Sequence, residues 1–399
     1  MKRLIVCCDG TWQKLSSDYP TNVVKIATAI QTLAKDKKPQ ILFYNQGIGT
    51  RDKVDKLLGG AFGKGIDQDI QDAYRFLSLN YEKGDEIYLY GYSRGAYTVR
   101  SLAGLIYCSG LPNRKNIREV PRAYEIYRKR TKPGEVSIPQ TTEAINFRQE
   151  NGGRVPITFL GCWDTVGSLG IPDLLSELPV DEWINEKYNF HDTSLSPIIQ
   201  NARHAVAIDE IRKVFDVTPM LKCKSPKNPH QNLRLIWFPG EHGCVGGGTE
   251  EHSGLSDGAL QWMIDESKVL GLEFDESQVP DGINPDPIIH FDNTLKAPYI
   301  LTGHNLRKID FPHFHPSVFE RWSLVEHYRP ENLNMYKEEL EIQRQIYLSN
   351  VSQNIENVET GIFSNEKKSN FIVKSITFGN FYKLTFLIGL LIIGFWIKK

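Results

Sequence analysis

The chain has 399 residues, with 47 Lys and Arg against 48 Asp and Glu, for a formal net charge of -1. Hydrophobic residues at 40% and charged residues at 24% describe a globular protein and exclude disorder, a collagen-like rod and a polytopic membrane protein. The charge balance argues against a dedicated nucleic-acid binder, which carries a basic excess, and six scattered cysteines without a CxxC pair build no disulfide framework and fit a reduced compartment.

The apolar run Leu4–Cys8 is too short for a signal-peptide core. Arg3–Cys8 reads as a buried strand ending in the turn Asp9-Gly10-Thr11. Asn22–Ala34 has helical spacing with Thr21 as its cap. Gln40–Tyr44 is a second strand, and the glycines at 59, 60, 63 and 65 mark a loop before a helix over Asp67–Asn80. Asp85–Tyr90 is a third strand, which runs through Gly91-Tyr92-Ser93-Arg94-Gly95 into an apolar helix ending near Cys108. Strand alternating with helix predicts an α/β fold of α/β-hydrolase type: a mostly parallel sheet with helices on both faces.

Residues 111–150 form a polar excursion with a helix over Val120–Lys129. Val155–Gly161 and Leu233–Phe238 are further strands, His204–Phe215 a short helix and Leu255–Leu270 a longer one. Residues 168–203 and 271–330 have the composition of lid or cap segments within a catalytic domain spanning 1–335. Residues 336–380 read as a charged helix and a polar linker. Residues 381–399 read as a membrane anchor, because Leu384–Ile397 is apolar except for Thr385. That run of 14 residues is about 21 Å long as a helix and shorter than the roughly 20 residues of a standard span. Phe381 and Tyr382 extend it, and Lys383, Lys398 and Lys399 are placed to snorkel. Four lysines before the run (Lys367, Lys368, Lys374, Lys383) against two after it predict a cytoplasmic body on a single C-terminal span.

The GxSxG string at 91–95 lies between a strand and a helix, the context of a nucleophile elbow. Ser93 is then the candidate nucleophile. Its base and acid should follow in the order Asp, then His, each just beyond a strand. Asp164 and His242 meet that condition. Asp209 is the alternative acid, read within a helix beside Arg203 and Arg212 and better explained there by an ion pair. His204, His252, His313 and His315 are rival bases, none directly after a strand. His313 and His315 flank Phe314 and suit a lid, since no carboxylate stands at ligand spacing. No metal and no cofactor is called for. Asp9, Gly10, Thr11 and Arg94 are candidates for the oxyanion site, with Asp9 equally suited to holding its loop through side-chain-to-backbone bonds. Gly246–Gly248 lacks the Lys-Ser/Thr of a phosphate loop and suits a close backbone approach to His242.

Six ordered strings carry a family resemblance: Cys8-Asp9-Gly10-Thr11-Trp12, Gly47-Ile48-Gly49-Thr50, Gly91-Tyr92-Ser93-Arg94-Gly95-Ala96, Trp163-Asp164-Thr165-Val166-Gly167, Arg203-His204-Ala205 with Asp209-Glu210, and Trp237-Phe238-Pro239-Gly240 with His242. Together, over residues 1–330, they resemble the α/β-hydrolase family called domain of unknown function 2235, which includes phospholipase effectors of type VI secretion. The resemblance implies a lipolytic serine hydrolase with Ser93 as nucleophile, His242 as base and an Asp as third member. That family commonly has Ser-Asp after the histidine, where this chain has Gly243-Cys244. The expected substrate is a phospholipid or another lipid ester, with the membrane reached through the C-terminal helix and no nucleic acid bound. A soluble-substrate esterase, or a catalytically silent hydrolase fold acting as a membrane-tethered interaction module, stands as the alternative.

Overall fold

The computed structural model describes residues 1–359 apart from 11–12, 14, 48–58, 130, 132–133, 167–193, 224–228, 296–299, 301–302 and 311–312. Its frame is a six-stranded sheet in the order β2-β1-β3-β4-β5-β6. The strands are β1 (Arg3–Cys8), β2 (Gln40–Asn45), β3 (Glu86–Tyr92), β4 (Ile157–Trp163), β5 (Ile199–Ala207) and β6 (Asn232–Phe238). Every neighbouring pair is parallel. All strand C-termini therefore share one edge, and the order reverses between β1 and β3.

Alternate residues of the inner strands feed two cores. Leu4, Val6, Ile87 and Leu89 face α2 (Gly59–Asn80) and α3 (Arg94–Ser109). Ile5, Cys7, Tyr88 and Tyr90 face α1 (Asn22–Ala29) and the long helix Ser253–Lys268. The Thr21 hydroxyl caps α1 by accepting from Val24 N. That helix stops at Ala29 rather than Ala34, because Ile30 turns extended and pairs with Phe274. The expected glycine loop before α2 is instead its first turns, from Gly59 on. Helix α4 (Val120–Arg128) is where the pattern placed it, and α5 (Thr142–Asn151), capped by Thr141, is an addition.

The expected helix over His204–Phe215 is a correction. His204–Ala207 is the end of β5, and only Lys213–Phe215 forms a 3₁₀ turn. Ala202, Ala205, Val206, Ala207 and Ile208 are all buried. An apolar run buried on both faces of a parallel sheet has no period that separates strand from helix. The same strand takes Ile199–Arg203 out of the lid expected over 168–203.

Within the segment 271–330, expected as a possible lid, the described residues from His313 on pack against the sheet. His313–His315 pairs with the outer edge of β6 through Trp237 N to His313 O and His315 N to Trp237 O, both 2.9 Å. Edge cover thus explains the alternation around Phe314. Helix Pro316–Leu324 then packs Val318 and Trp322 into a third core with Val206, Ile208, Leu235 and Trp237. The charged helix Lys337–Glu359 lies in the stretch read as helix and linker and joins this core through Leu340. The apolar run Leu384–Ile397 lies outside the described residues. Among those described, no helix is long and apolar enough to cross a membrane.

The third core gives a test. Trp322 is 1% exposed, so Trp322→Ala should lower the unfolding free energy by about 3–5 kcal/mol. Urea denaturation of the two proteins side by side measures it. A loss below about 1 kcal/mol would mean that residues 316–340 do not share the body's cooperative unit.

Candidate active site

Ser93 occupies the turn between β3 and α3 with φ 56 and ψ -119, a strained backbone for any residue with a side chain. Its neighbours make the turn sterically feasible. A Cβ on Gly95 would sit 2.0 Å from Cys8 O, and one on Gly91 would sit 2.4 Å from Gly95 O. The helix can start this close to β1 only with glycine at both places. Ser93 N donates to Trp163 O across the strand ends at 3.0 Å.

Asp164 follows β4, also at positive φ (42). His242 opens α6 (His242–Gly246), just past β6. The two meet Ser93 in line. His242 Nε2 is 2.8 Å from Ser93 Oγ, and His242 Nδ1 is 2.5 Å from Asp164 Oδ2. The imidazole lies between the rings of Tyr92 and Phe215, at centroid distances of 4.8 and 4.9 Å. Gly246 leaves room for this packing, since a Cβ there would fall 1.9 Å from Tyr92 Cε2.

The electrostatics centre on Asp164, which is 0% exposed. Burial alone would raise its pKa. Arg307 and His242 outweigh burial and hold the carboxyl well below the ordinary carboxylate range. Arg307 grips both oxygens, Nη1 to Oδ1 at 2.6 Å and Nη2 to Oδ2 at 2.9 Å. Ala207 N donates a further bond to Oδ1. The backbone of His242 is held separately, its N–H donating to Glu210 Oε2 at 3.1 Å. Arg212 bridges Glu210 and Glu241 beside it.

Asp209 has another place than expected. It follows β5 rather than lying in a helix, and Arg203 pairs with Glu266 instead. Its Oδ2 accepts from Gly240 N at 2.6 Å and Tyr328 OH at 2.9 Å, while burial pushes its pKa up to about 6. It ties β6 to the third core. Asp9 is likewise a tie, with its carboxylate accepting from Gly10 N, Thr21 Oγ1 and Tyr44 OH. The Gly10 N–H is committed to Asp9, and Arg94 opens the first turn of α3 directly after Ser93. Thr11 lies outside the described residues. His204 is buried beside the site, where burial and then Arg100 lower its pKa to about 3, and its Nε2 accepts from Thr165 N. His315 caps the helix that begins at Pro316. Arg307 was not singled out from the sequence, and Glu210 and Arg212 were named there only as neighbours of Asp209. Arg307 sits in an aperiodic stretch without a motif, so nothing local marked it.

The family described as T6SS, Phospholipase effector Tle1-like, catalytic domain matches residues 2–266. The chain belongs to that family. It is 32% identical over 240 residues to the uncharacterized protein YEL023C of Saccharomyces cerevisiae. That match covers 55% of this chain and 33% of the yeast protein, so it spans about a third of that relative's length. Among solved structures, an uncharacterized protein from Pseudomonas aeruginosa aligns with a TM-score of 0.42 and 17% identity, covering 70% of this chain and 47% of that one. The Tle1 effector bound to the VgrG spike of the type 6 secretion system aligns with a TM-score of 0.35 and 16% identity, covering 62% and 51%.

The Asp164–Arg307 pair yields the next test. Removing one partner of a buried ion pair strands the other charge, at about 3–5 kcal/mol. Arg307→Met should therefore destabilise the protein by that amount. Arg307→Lys, which keeps a charge but not the two-pronged grip, should recover part of it. Chemical denaturation at neutral pH measures both, and a Met variant as stable as the native protein would show that Asp164 is not held as an ion.

Proposed function

We propose that the chain is a serine hydrolase that cleaves carboxylic esters of membrane lipids, of phospholipase type. The observation that carries the reading is the unbroken hydrogen-bond line from Asp164 through His242 to Ser93 at 2.5 and 2.8 Å, built on a strained elbow. Family membership supports a phospholipid substrate. In this reading His242 Nε2 takes the Ser93 proton as Oγ attacks the ester carbonyl. The oxyanion is met by the N–H of Arg94 and the positive end of α3. His242 returns the proton to the departing alcohol oxygen. A water then attacks the acyl-serine, giving its proton to the same nitrogen, which passes it to Ser93 Oγ as the bond to the acyl carbon breaks and the fatty acid leaves. Asp164 stays ionised throughout and fixes the imidazole with Nδ1 protonated.

Ser93→Ala should lower ester hydrolysis by on the order of 10³-fold or more with the fold intact. Asp164→Asn should cost a comparable factor, and Asp209→Asn should leave the rate nearly unchanged. Initial rates on a short-chain ester, with circular dichroism as the fold control, decide the matter. An Ala variant keeping over a tenth of the native rate would rule out Ser93, and a reversed order of the two aspartates would move the acid to Asp209.

We further propose that the apolar run Leu384–Ile397 tethers the catalytic body to a membrane, which raises the lipid concentration at the site. A chain lacking residues 380–399 should be recovered in the supernatant after fractionation. It should keep its rate on dispersed short-chain esters and lose rate on bilayer lipid. Full-length protein released by alkaline carbonate would overturn a transmembrane tether and leave an interfacial one. A truncated chain that still pellets would move the membrane contact into the body.

A further inference from the structure

Beside His242 lies a side-chain cluster that ester hydrolysis does not use. Glu241, Cys244 and His252 each offer a ligand atom, and these atoms all lie within 4.8 Å of one another. Glu241 Oε1 is 3.7 Å from His252 Nδ1. Cys244 is 0% exposed and His252 is 9% exposed. Among the described residues the buried His252 Nδ1 has no hydrogen-bond partner, a state that costs about 1–3 kcal/mol unless something fills it.

The space between these groups is kept clear by Gly243. A Cβ there would stand 2.9 Å from Glu241 Oε1 and 3.7 Å from His252 Nδ1, inside the cradle. Cys244, the next residue in the chain, supplies the sulfur.

We propose that Glu241, Cys244 and His252 bind a zinc-class divalent ion. One thiolate, one imidazole and one carboxylate form a donor set of borderline softness that favours zinc over magnesium or calcium. Bonds of about 2.0–2.3 Å to a tetrahedral ion put ligand atoms roughly 3.3–3.8 Å apart, so the cluster need contract by no more than roughly 1.5 Å from its 4.8 Å limit. Glu241 keeps its other oxygen on Arg212. Its side chain is 18% exposed, which gives the ion a way in and leaves the fourth position to water. As the metal–sulfur bond forms, the Cys244 thiol proton leaves to solvent and no oxidation state changes. The ion would pin the turn that carries His242 to the start of the helix Ser253–Lys268, without touching the ester. It is a structural clamp rather than part of the reaction.

The test is a titration of the full-length chain, stripped with a chelator in mild detergent, with Co²⁺ and then Zn²⁺. The expected result is one Co²⁺ per chain, a thiolate-to-cobalt charge-transfer band, and loss of that band as Zn²⁺ displaces it. Cys244→Ser should abolish the band, and His252→Ala should weaken binding at least about tenfold. Cys223→Ser should change neither. Wild-type protein without the band, a band that survives Cys244→Ser, or an unchanged affinity in His252→Ala would each overturn the site. The His252 variant decides the outcome if the Cys244 variant does not fold. Ser93→Ala should bind Co²⁺ as the native chain does, so the clamp and the hydrolase reading stand or fall separately.

Discussion

The charge on Asp164 is the constraint on which the rest of the site rests. A carboxylate fully withdrawn from water is tolerated only when its charge is matched and its lone pairs are used. Arg307 supplies the charge, and the two guanidinium bonds, the Ala207 N–H and His242 take up the lone pairs. The pairing is two-sided. Arg307 is itself buried and also donates to Ala207 O and Phe215 O. Arg307 can be there only if the chain returns from the helix Ser253–Lys268 to the far side of β5. The third core, around Trp322 and Trp237, covers that side.

Strain and restraint meet at the same edge of the sheet. Ser93 and Asp164 both sit at positive φ, and neither has a glycine's freedom to do so. Each is held by a bond to the next strand, Ser93 N to Trp163 O and Asp164 N to Ala205 O. Asp164 N thus ties β4 to β5, and Ile208 N to Phe238 O ties β5 to β6. Parallel register puts these residues at one level. His242 is then fixed from three directions, by Asp164 at the ring, by Glu210 at the backbone, and by Tyr92 and Phe215 across the two ring faces. Preorganisation of this kind leaves little reorganisation for a reaction to drive.

The strands, the elbow and the Ser93–Asp164–His242 order were legible in the sequence, because each depends on neighbours close in the chain. β-branched and aromatic runs end in turn residues, and glycines flank the serine at fixed offsets. Two kinds of feature were hidden. β5 was misread because an interior parallel strand has no polar face to set a period. Arg307 was missed because its partner is 143 residues away, and no local pattern marks a single arginine among prolines, aspartates and aromatics. Asp209 shows the same limit from the other side. Beside Arg203 and Arg212 in sequence it looks paired. In space both arginines turn to glutamates, and Asp209 is left to Gly240 and Tyr328.

The family match ends at residue 266, yet the charge balance of the site does not. Arg307 on Asp164, Tyr328 on Asp209 and the edge cover at His313–His315 all come from beyond that boundary. The segment 2–266 contains every residue of the Ser93–His242–Asp164 line but not the cation that keeps its buried acid ionised. Without Arg307, Asp164 would lose its strongest counter-charge against burial, and its pKa would move up from its present low position. The residues of the proposed reaction and the residues that make them competent are therefore divided between the matched segment and the stretch that follows it. The third core is the physical link, because Ile309, two residues after Arg307, packs there with Val206 and Ile208 at the end of β5 and with Leu235 and Trp237 of β6.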